Sequence, residues 1–311
     1  MSKVSFIKSD DRKYNIERCL SLLKSEIVSG VKDAKNIVIK PNCVSDKVKL
    51  ASTNKEAIDA VLEFIKPYTN AQITLAEGSG IGNTIDAFKN FGYLELQEKY
   101  DFTIVDLNSD EFETVPLLLK NGKTWQAQVA KTIINSDYLI SVSPPKTHNE
   151  VVYSGAIKNV SVGALLRRIS TFSKYINQFN ESIGLPKNSK ALIHQGPKIT
   201  NENIKRIYSK IPLKLAVLDG YEAMQGDGPI DGDMVPAHWA IASTDPLAAE
   251  FLACQLMGID IDDVGYLSLL NTNEDAEDFI VGDDWKKNII KFKMHSNFEE
   301  IKQWNSPKNT P

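Results

Sequence analysis

Five short runs rich in β-branched residues, each closing on polar residues, glycine or proline, constrain this chain more than any other feature. They are Asn36-Ile37-Val38-Ile39-Lys40, Gln72-Ile73-Thr74-Leu75-Ala76, Phe102-Thr103-Ile104-Val105, Tyr138-Leu139-Ile140-Ser141-Val142 and Leu213-Lys214-Leu215-Ala216-Val217-Leu218. Longer amphipathic stretches separate them, which is the rhythm of an α/β fold with a mostly parallel sheet and helices on both faces. In such sheets ligands bind at the carboxyl ends of the strands, so function is sought where these runs end. Between the first two runs, Thr53-x-x-Glu56 reads as a capping box. Ile58, Val61, Leu62 and Ile65 then follow at helical spacing, predicting a helix over 55–66 that stops at Pro67. A second helix is expected after Thr84, and longer ones over about 163–182 and 246–257. Val115 to Val129 reads as a small β-hairpin insertion turning at Asn121-Gly122, where a tight turn needs positive φ.

A length of 311 residues fits one large α/β domain or two lobes. With no repeat, linker or low-complexity tract to divide it, the chain is read as a single α/β domain over 1–311. Its acidic stretch from Asn271 to Asp284 opens a peripheral C-terminal extension, 271–311.

Hydrophobic residues at 42% and charged residues at 24% are ordinary globular values and exclude a disordered or fibrous chain. A formal charge of −4 argues against a nucleic-acid partner, because binding a phosphate backbone rests on clustered positive charge. The start, Met1-Ser2-Lys3-Val4-Ser5-Phe6-Ile7-Lys8, turns charged before a signal sequence can develop, and no later apolar run is long enough to span a membrane. The expected location is the cytoplasm, with no membrane partner. Cys19, Cys43 and Cys254 lie far apart without a C-x-x-C pair, which argues against a disulfide framework, a cysteine-rich zinc site and an iron–sulfur cluster held by this chain's own cysteines.

Four segments carry chemistry. At Ile39-Lys40-Pro41-Asn42 the proline ends strand pairing, leaving Lys40 and Asn42 to face the strand-end crevice or the solvated rim. Ala76-Glu77-Gly78-Ser79-Gly80-Ile81-Gly82-Asn83-Thr84 is a strand, three alternating glycines and a helix start. Gly78, Ser79 and Gly80 are either a plain turn or an anion cradle of backbone N–H groups. The spacing is neither a dinucleotide fingerprint nor a P-loop, and Ser79 is not in a nucleophile elbow. Ser143-Pro144-Pro145-Lys146-Thr147-His148, followed by Ser154-Gly155-Ala156-Ile157-Lys158-Asn159, is the most informative segment. Lys146 and Lys158 are cationic donors, His148 is a base that titrates near neutrality, and Asn159 is a further ligand contact. The fourth runs from Leu218-Asp219-Gly220 to Gln225-Gly226-Asp227-Gly228-Pro229, with Gln225 a ligand-binding candidate. Asp219 and Asp227 are read either as Asp-Gly turns or, with Glu77, as oxygen ligands of a divalent metal. In Ser243-Thr244-Asp245-Pro246, Asp245 reads as a helix cap.

These segments together resemble the domain of unknown function 362 proteins, in order from about 37 to 257. The resemblance implies a shared fold without an agreed activity. Some members look like fusions to ferredoxin-type modules, for which this chain lacks the cysteines. A fainter similarity is to the nickel-pincer lactate racemases, in which a histidine is followed ten residues later by a lysine, as His148 and Lys158 are here, and that lysine tethers the cofactor. Ser79 and Lys174 stand where that similarity would place histidines, so it implies kinship of fold and not the nickel cofactor.

Three functions are weighed. The leading one is an enzyme acting on a small carboxylated or phosphorylated metabolite, with Lys40, Lys146 and the glycine-rich turn holding the anion. His148 would move a proton, and Lys158 with Asn159 would stabilise developing negative charge. The alternatives are a non-catalytic protein that binds a metabolite or delivers a metal or cofactor, and an interaction scaffold. Protein partners are not legible.

Overall fold

The structure, a computed structural model, describes residues 3–167, 189–271 and 279–306. Its strands are β1 (Val4–Lys8), β2 (Asn36–Lys40), β3 (Gln72–Glu77), β4 (Thr103–Asp106), β5 (Phe112–Leu118), β6 (Thr124–Ala130) and β7 (Tyr138–Ser143). The remainder are β8 (Lys146–His148), β9 (Val152–Ser154), β10 (Leu213–Gly220), β11 (Ala223–Gln225), β12 (Asp233–Val235), β13 (Trp239–Ser243) and β14 (Ile280–Gly282).

An eight-stranded sheet runs in the order β14-β1-β13-β10-β7-β2-β3-β4. β10, β7, β2, β3 and β4 are mutually parallel, whereas β13 runs antiparallel to both β10 and β1. The fold is therefore α/β with a mostly parallel sheet, as the sequence rhythm predicts. Strand pleating sends alternate side chains to opposite faces. In β2, Ile37 and Ile39 enter one core and Val38 the other; in β10, Leu215 and Val217 part from Ala216 and Leu218 in the same way. Because both faces are buried, these strands are nearly continuous apolar runs, which is why the sequence shows them so clearly.

Helices Arg12–Leu22 and Lys55–Ile65 contribute to one core, and Ala156–Gly163, Pro197–Tyr208 and Pro246–Met257 to the other. The helix expected over 55–66 is present, but its cap differs. Asn54 accepts from the Glu56 N–H at 2.9 Å, while the Thr53 hydroxyl donates to the Val142 carbonyl at 2.7 Å and accepts from the Asn42 N–H at 2.8 Å. Thr53 is thus a tie between the loop after β2 and the end of β7. Asp245 caps Pro246–Met257 through the N–H groups of Leu247 and Ala248, as expected. The hairpin is β5 and β6, with Gly122 at a φ of 75°. The helix expected over 163–182 does not start where predicted, because Gly163 ends the helix Ala156–Gly163 and Leu165 instead bridges to Val129; residues 168–182, Lys174 among them, lie outside the described residues. In the C-terminal extension, β14 adds an edge strand beside β1, and Trp285, Phe292 and Ile301 are buried.

From β2 the chain adds β3 and then β4 on one side, whereas β7 and β10 lie on the other. The winding direction therefore reverses between β2 and β7. Just beyond the carboxyl ends of strands at such a reversal, the connecting segments diverge and leave a crevice.

Candidate functional site

The crevice is built around Lys40, the last residue of β2 and fully buried. Its ammonium donates to Glu77 Oε2 at 2.6 Å, to Asn159 Oδ1 at 2.9 Å and to the Pro41 carbonyl at 3.2 Å, which uses all three hydrogens. Glu77 ends the neighbouring strand β3 and accepts from the Gly78 N–H at 2.7 Å through its other oxygen. Asn159, from the helix Ala156–Gly163, closes the arrangement by donating to the Lys40 carbonyl at 3.2 Å and to Ser141 Oγ at 3.0 Å. The helix can approach this closely because residue 163 is glycine. A Cβ there would lie 2.4 Å from Lys40 Nζ.

Lys146, at the start of β8, is also committed internally, donating to Asn42 Oδ1 and, at 2.7 Å, to the Ala51 carbonyl. Asn42 in turn donates to Asn159 Oδ1 at 3.1 Å. Burial, with Lys158 nearby, lowers the Lys146 pKa to about 7. Of Lys40 and Lys146, both expected to meet a ligand, Lys40 instead spends all three hydrogens on the protein and Lys146 two of its three.

Lys158 differs. It lies one residue before Asn159 and is 9% exposed, yet among the described residues its ammonium has no hydrogen-bond partner. Burial pulls its pKa down to about 8, against a smaller opposing pull from Glu150. It also sits in the first turn of its helix, where the backbone dipole disfavours a cation. The buried Glu250 supports that helix start, accepting from the Ile157 N–H at 2.7 Å and from the Tyr153 hydroxyl at 2.5 Å.

His148 ends β8 and is 2% exposed. Its Nδ1 accepts from the Glu150 N–H at 3.1 Å, so the neutral ring carries its proton on Nε2. Burial, followed by the positive charge of Lys158, His194, Lys146 and His295, holds the imidazole pKa well below its usual value. His148 is a neutral donor at pH 7 here, not the ready base expected from its residue type.

These groups meet at a cavity of about 360 Å³ lined by Asn42, Glu77, Gly78, Gly80, His148, Lys158, Asn159, Lys190 and His194, with Val44, Ile81, Val162, Pro229 and Ile230 among its apolar walls. Lys190 is a residue that sequence reasoning missed, because no strand end or motif marks it. Its ammonium donates to the Gly78 carbonyl, and burial lowers its pKa to about 7. Ser79 lies beneath the glycine-rich turn, with its N–H on Thr84 Oγ1 at 3.1 Å and its hydroxyl buried.

Other candidates lie elsewhere. Asp219 is bonded to Arg12 Nε at 3.3 Å and lines a separate cavity of about 610 Å³ beside the starts of helices Arg12–Leu22 and Lys55–Ile65. Asp227 is at the surface, accepting from the Ser296 N–H at 3.0 Å. Gln225 accepts from the Lys293 N–H at 3.0 Å. The expected metal set of Glu77, Asp219 and Asp227 therefore does not converge, and among the described residues no cluster of three or more His, Cys, Asp or Glu side chains is placed to hold an ion. The reason is local, since Lys40 and Arg12 take the first two carboxylates as ion pairs.

The family described as Domain of unknown function (DUF362) matches residues 37–255, which spans the whole of this strand-end constellation. The chain belongs to that family. Among curated proteins it is 21% identical over 237 residues to the thylakoid-associated protein sll1697 of Synechocystis sp., covering 74% of this chain and 65% of that protein. Among solved structures, the lactate racemase apoprotein of Thermoanaerobacterium thermosaccharolyticum is similar with a TM-score of 0.47 and 18% identity, over 83% of this chain and 58% of that one. A Thermotoga maritima protein solved by a structural genomics consortium gives a TM-score of 0.48 at 15% identity, over 80% and 60% of the two chains. This DUF362 chain spans less than two thirds of the length of each of these proteins. Among the described residues no helix is long and apolar enough to cross a membrane.

Proposed function

We propose that the cavity binds a small carboxylate- or phosphate-bearing metabolite and that the protein is an enzyme exchanging a proton with it. One observation carries this reading. Lys158 is a buried ammonium lining the cavity with no acceptor among the described residues, and an unpaired buried charge is costly to keep. An anionic ligand supplies the missing acceptor. Lys190, with hydrogens left over after its bond to the Gly78 carbonyl, offers a second cation in the lining of the same cavity. The Nε2–H of His148 adds a neutral donor.

Lys158 is also the acid–base residue of the proposal. A group with a pKa of about 8 exchanges its proton readily near neutral pH. In its charged form it stabilises negative charge developing on a substrate oxygen within a low-dielectric site. The Lys40–Glu77–Asn159 assembly holds the helix that carries it, acting as scaffold.

The experiment is calorimetric titration of inorganic phosphate and simple carboxylates, paired with proton NMR of a metabolite mixture incubated with the protein in D₂O. Binding that disappears in Lys158→Met, with deuterium entering one metabolite, is the expected result. Binding without exchange into any metabolite would leave a non-catalytic binding protein, and absence of binding would refute the anion site itself.

A further inference from the structure

The cavity holding Lys158 is ordered by depth in a way that a purely polar ligand does not require. Its floor is polar and closed, with Glu77 at 2% exposure, Asn159 at 4% and Lys158 at 9%. Its rim is apolar and open, with Ile81 at 53% exposure and Val44, Pro229 and Ile230 half-buried around it. Folded chains ordinarily put isoleucine inside and lysine outside, and this site inverts that order. Ile81 is no loose loop tip either. Its N–H donates to the Val44 carbonyl at 2.9 Å and it bridges to Ser45, so the apolar rim is held in place by backbone bonds.

Size points the same way. At the roughly 30 Å³ that a water molecule occupies, a cavity of about 360 Å³ has room for many more atoms than inorganic phosphate or acetate contains. Binding sites for larger molecules are mostly apolar, with a few placed polar groups that fix orientation. That description fits Val44, Ile81, Val162, Pro229 and Ile230 surrounding Lys158, Lys190 and His148.

We infer that the substrate class of this site is an amphiphilic anion, a carboxylate or phosphate joined to an apolar body of several carbons. The head group rests on Lys158, and the body lies against Ile81, Val44 and Ile230. This inference rests on the anion reading above, and its test separates the two.

Calorimetric titration at pH 7 uses acetate, butyrate, hexanoate and octanoate, with 1-hexanol as the uncharged control. Affinity is expected to rise about fourfold for each buried methylene, and hexanoate is expected to bind at least about tenfold more tightly than hexanol. Ile81→Ser and Ile230→Ser remove side chains that are exposed or half-buried, so the fold should hold, and a thermal melt of each variant checks this. Both variants are expected to weaken hexanoate binding several-fold and to leave acetate unchanged. Equal affinity for acetate and octanoate would overturn the amphiphilic class and leave the anion site standing. Hexanol binding as tightly as hexanoate, or no probe binding at all, would overturn the anion site and this inference with it.

Discussion

Replacing Lys158 by Met should make this protein more stable and less able to bind its ligand. The folded state lowers the Lys158 pKa from 10.5 to about 8. Each pKa unit corresponds to about 1.36 kcal/mol of differential interaction, so holding the ammonium in place costs the fold about 3 kcal/mol. The sign follows from linkage. Between pH 8 and 10.5 the unfolded chain binds this proton and the folded chain does not, so stability rises with pH across that window. The cost is therefore complete below about pH 8 and gone above 10.5. Met keeps the apolar stem and drops the charge. With an unfolding entropy of about 2.1 cal/mol/K per residue over 311 residues, the variant should melt about 4–5 °C higher at pH 7 and at nearly the wild-type temperature at pH 10.5. Calorimetric melts of both proteins across this range measure the effect. Anion affinity should fall about tenfold to a hundredfold with loss of a charge-assisted hydrogen bond. A variant no more stable than wild type at pH 7 would show that the ammonium has a partner, and a gain that persists at pH 10.5 would assign it to packing. Either result refutes the reasoning.

Anion affinity of the wild-type protein should be strongest below about pH 7 and weaken as Lys190 and then Lys158 lose their protons, near 7 and 8 respectively. Binding heats in buffers of differing ionisation enthalpy should show net proton uptake at pH 8. Glu77→Gln breaks the buried pair with Lys40 and should cost about 3–5 kcal/mol, read from the midpoint of a urea transition. Gly163→Ala puts a methyl group 2.4 Å from Lys40 Nζ and should cost about 1–3 kcal/mol by the same measurement. Asn54→Ala should cost about 1 kcal/mol through loss of the helix cap, whereas Thr53→Val should cost about 1–3 kcal/mol by leaving the Val142 carbonyl and the Asn42 N–H without their partner, both read from the same urea transition.

The inner parallel strands β2, β3, β7 and β10 were legible because both their faces are buried, which leaves an apolar run that needs no partner to recognise, whereas the edge strand β4 is only partly buried and shows through its β-branched residues. β13, Trp239-Ala240-Ile241-Ala242-Ser243, carries two alanines where a strand usually shows branched residues, and its place beside β10 is set by packing. β8 and β9 are three residues each and owe their pairing to tertiary structure. The location of the site was legible because strand ends announce themselves. The roles were not. Lys40, Lys146 and Lys158 look alike in sequence, and only the acceptors brought to them from Glu77, Asn42 and Ala51 separate engaged cations from the open one. Glu77 and Asp219 read as metal ligands because their counterions, Lys40 and Arg12, lie 37 and 207 residues away in the chain. His148 read as a base because no residue type reveals that its Nδ1 meets a backbone N–H.

That separation of engaged from open cations bears on why the helix Ala156–Gly163 begins as it does. Its start holds a buried carboxylate that suits the dipole, Glu250, and a buried ammonium that opposes it, Lys158. Burial holds the Glu250 pKa up at about 7 even though Tyr153 and the backbone of Ile157 and Ala156 bond to its charged form, so this carboxylate too is kept in place at a cost. Two costly groups at one helix end make little sense as structure alone, since an apolar residue at 158 and a serine or aspartate cap would serve the helix better. They make sense if the helix must keep an unpaired charge at the cavity floor in the absence of ligand. In that case Glu250, bonded to the Ile157 N–H, offsets through the backbone part of the instability that Lys158 brings.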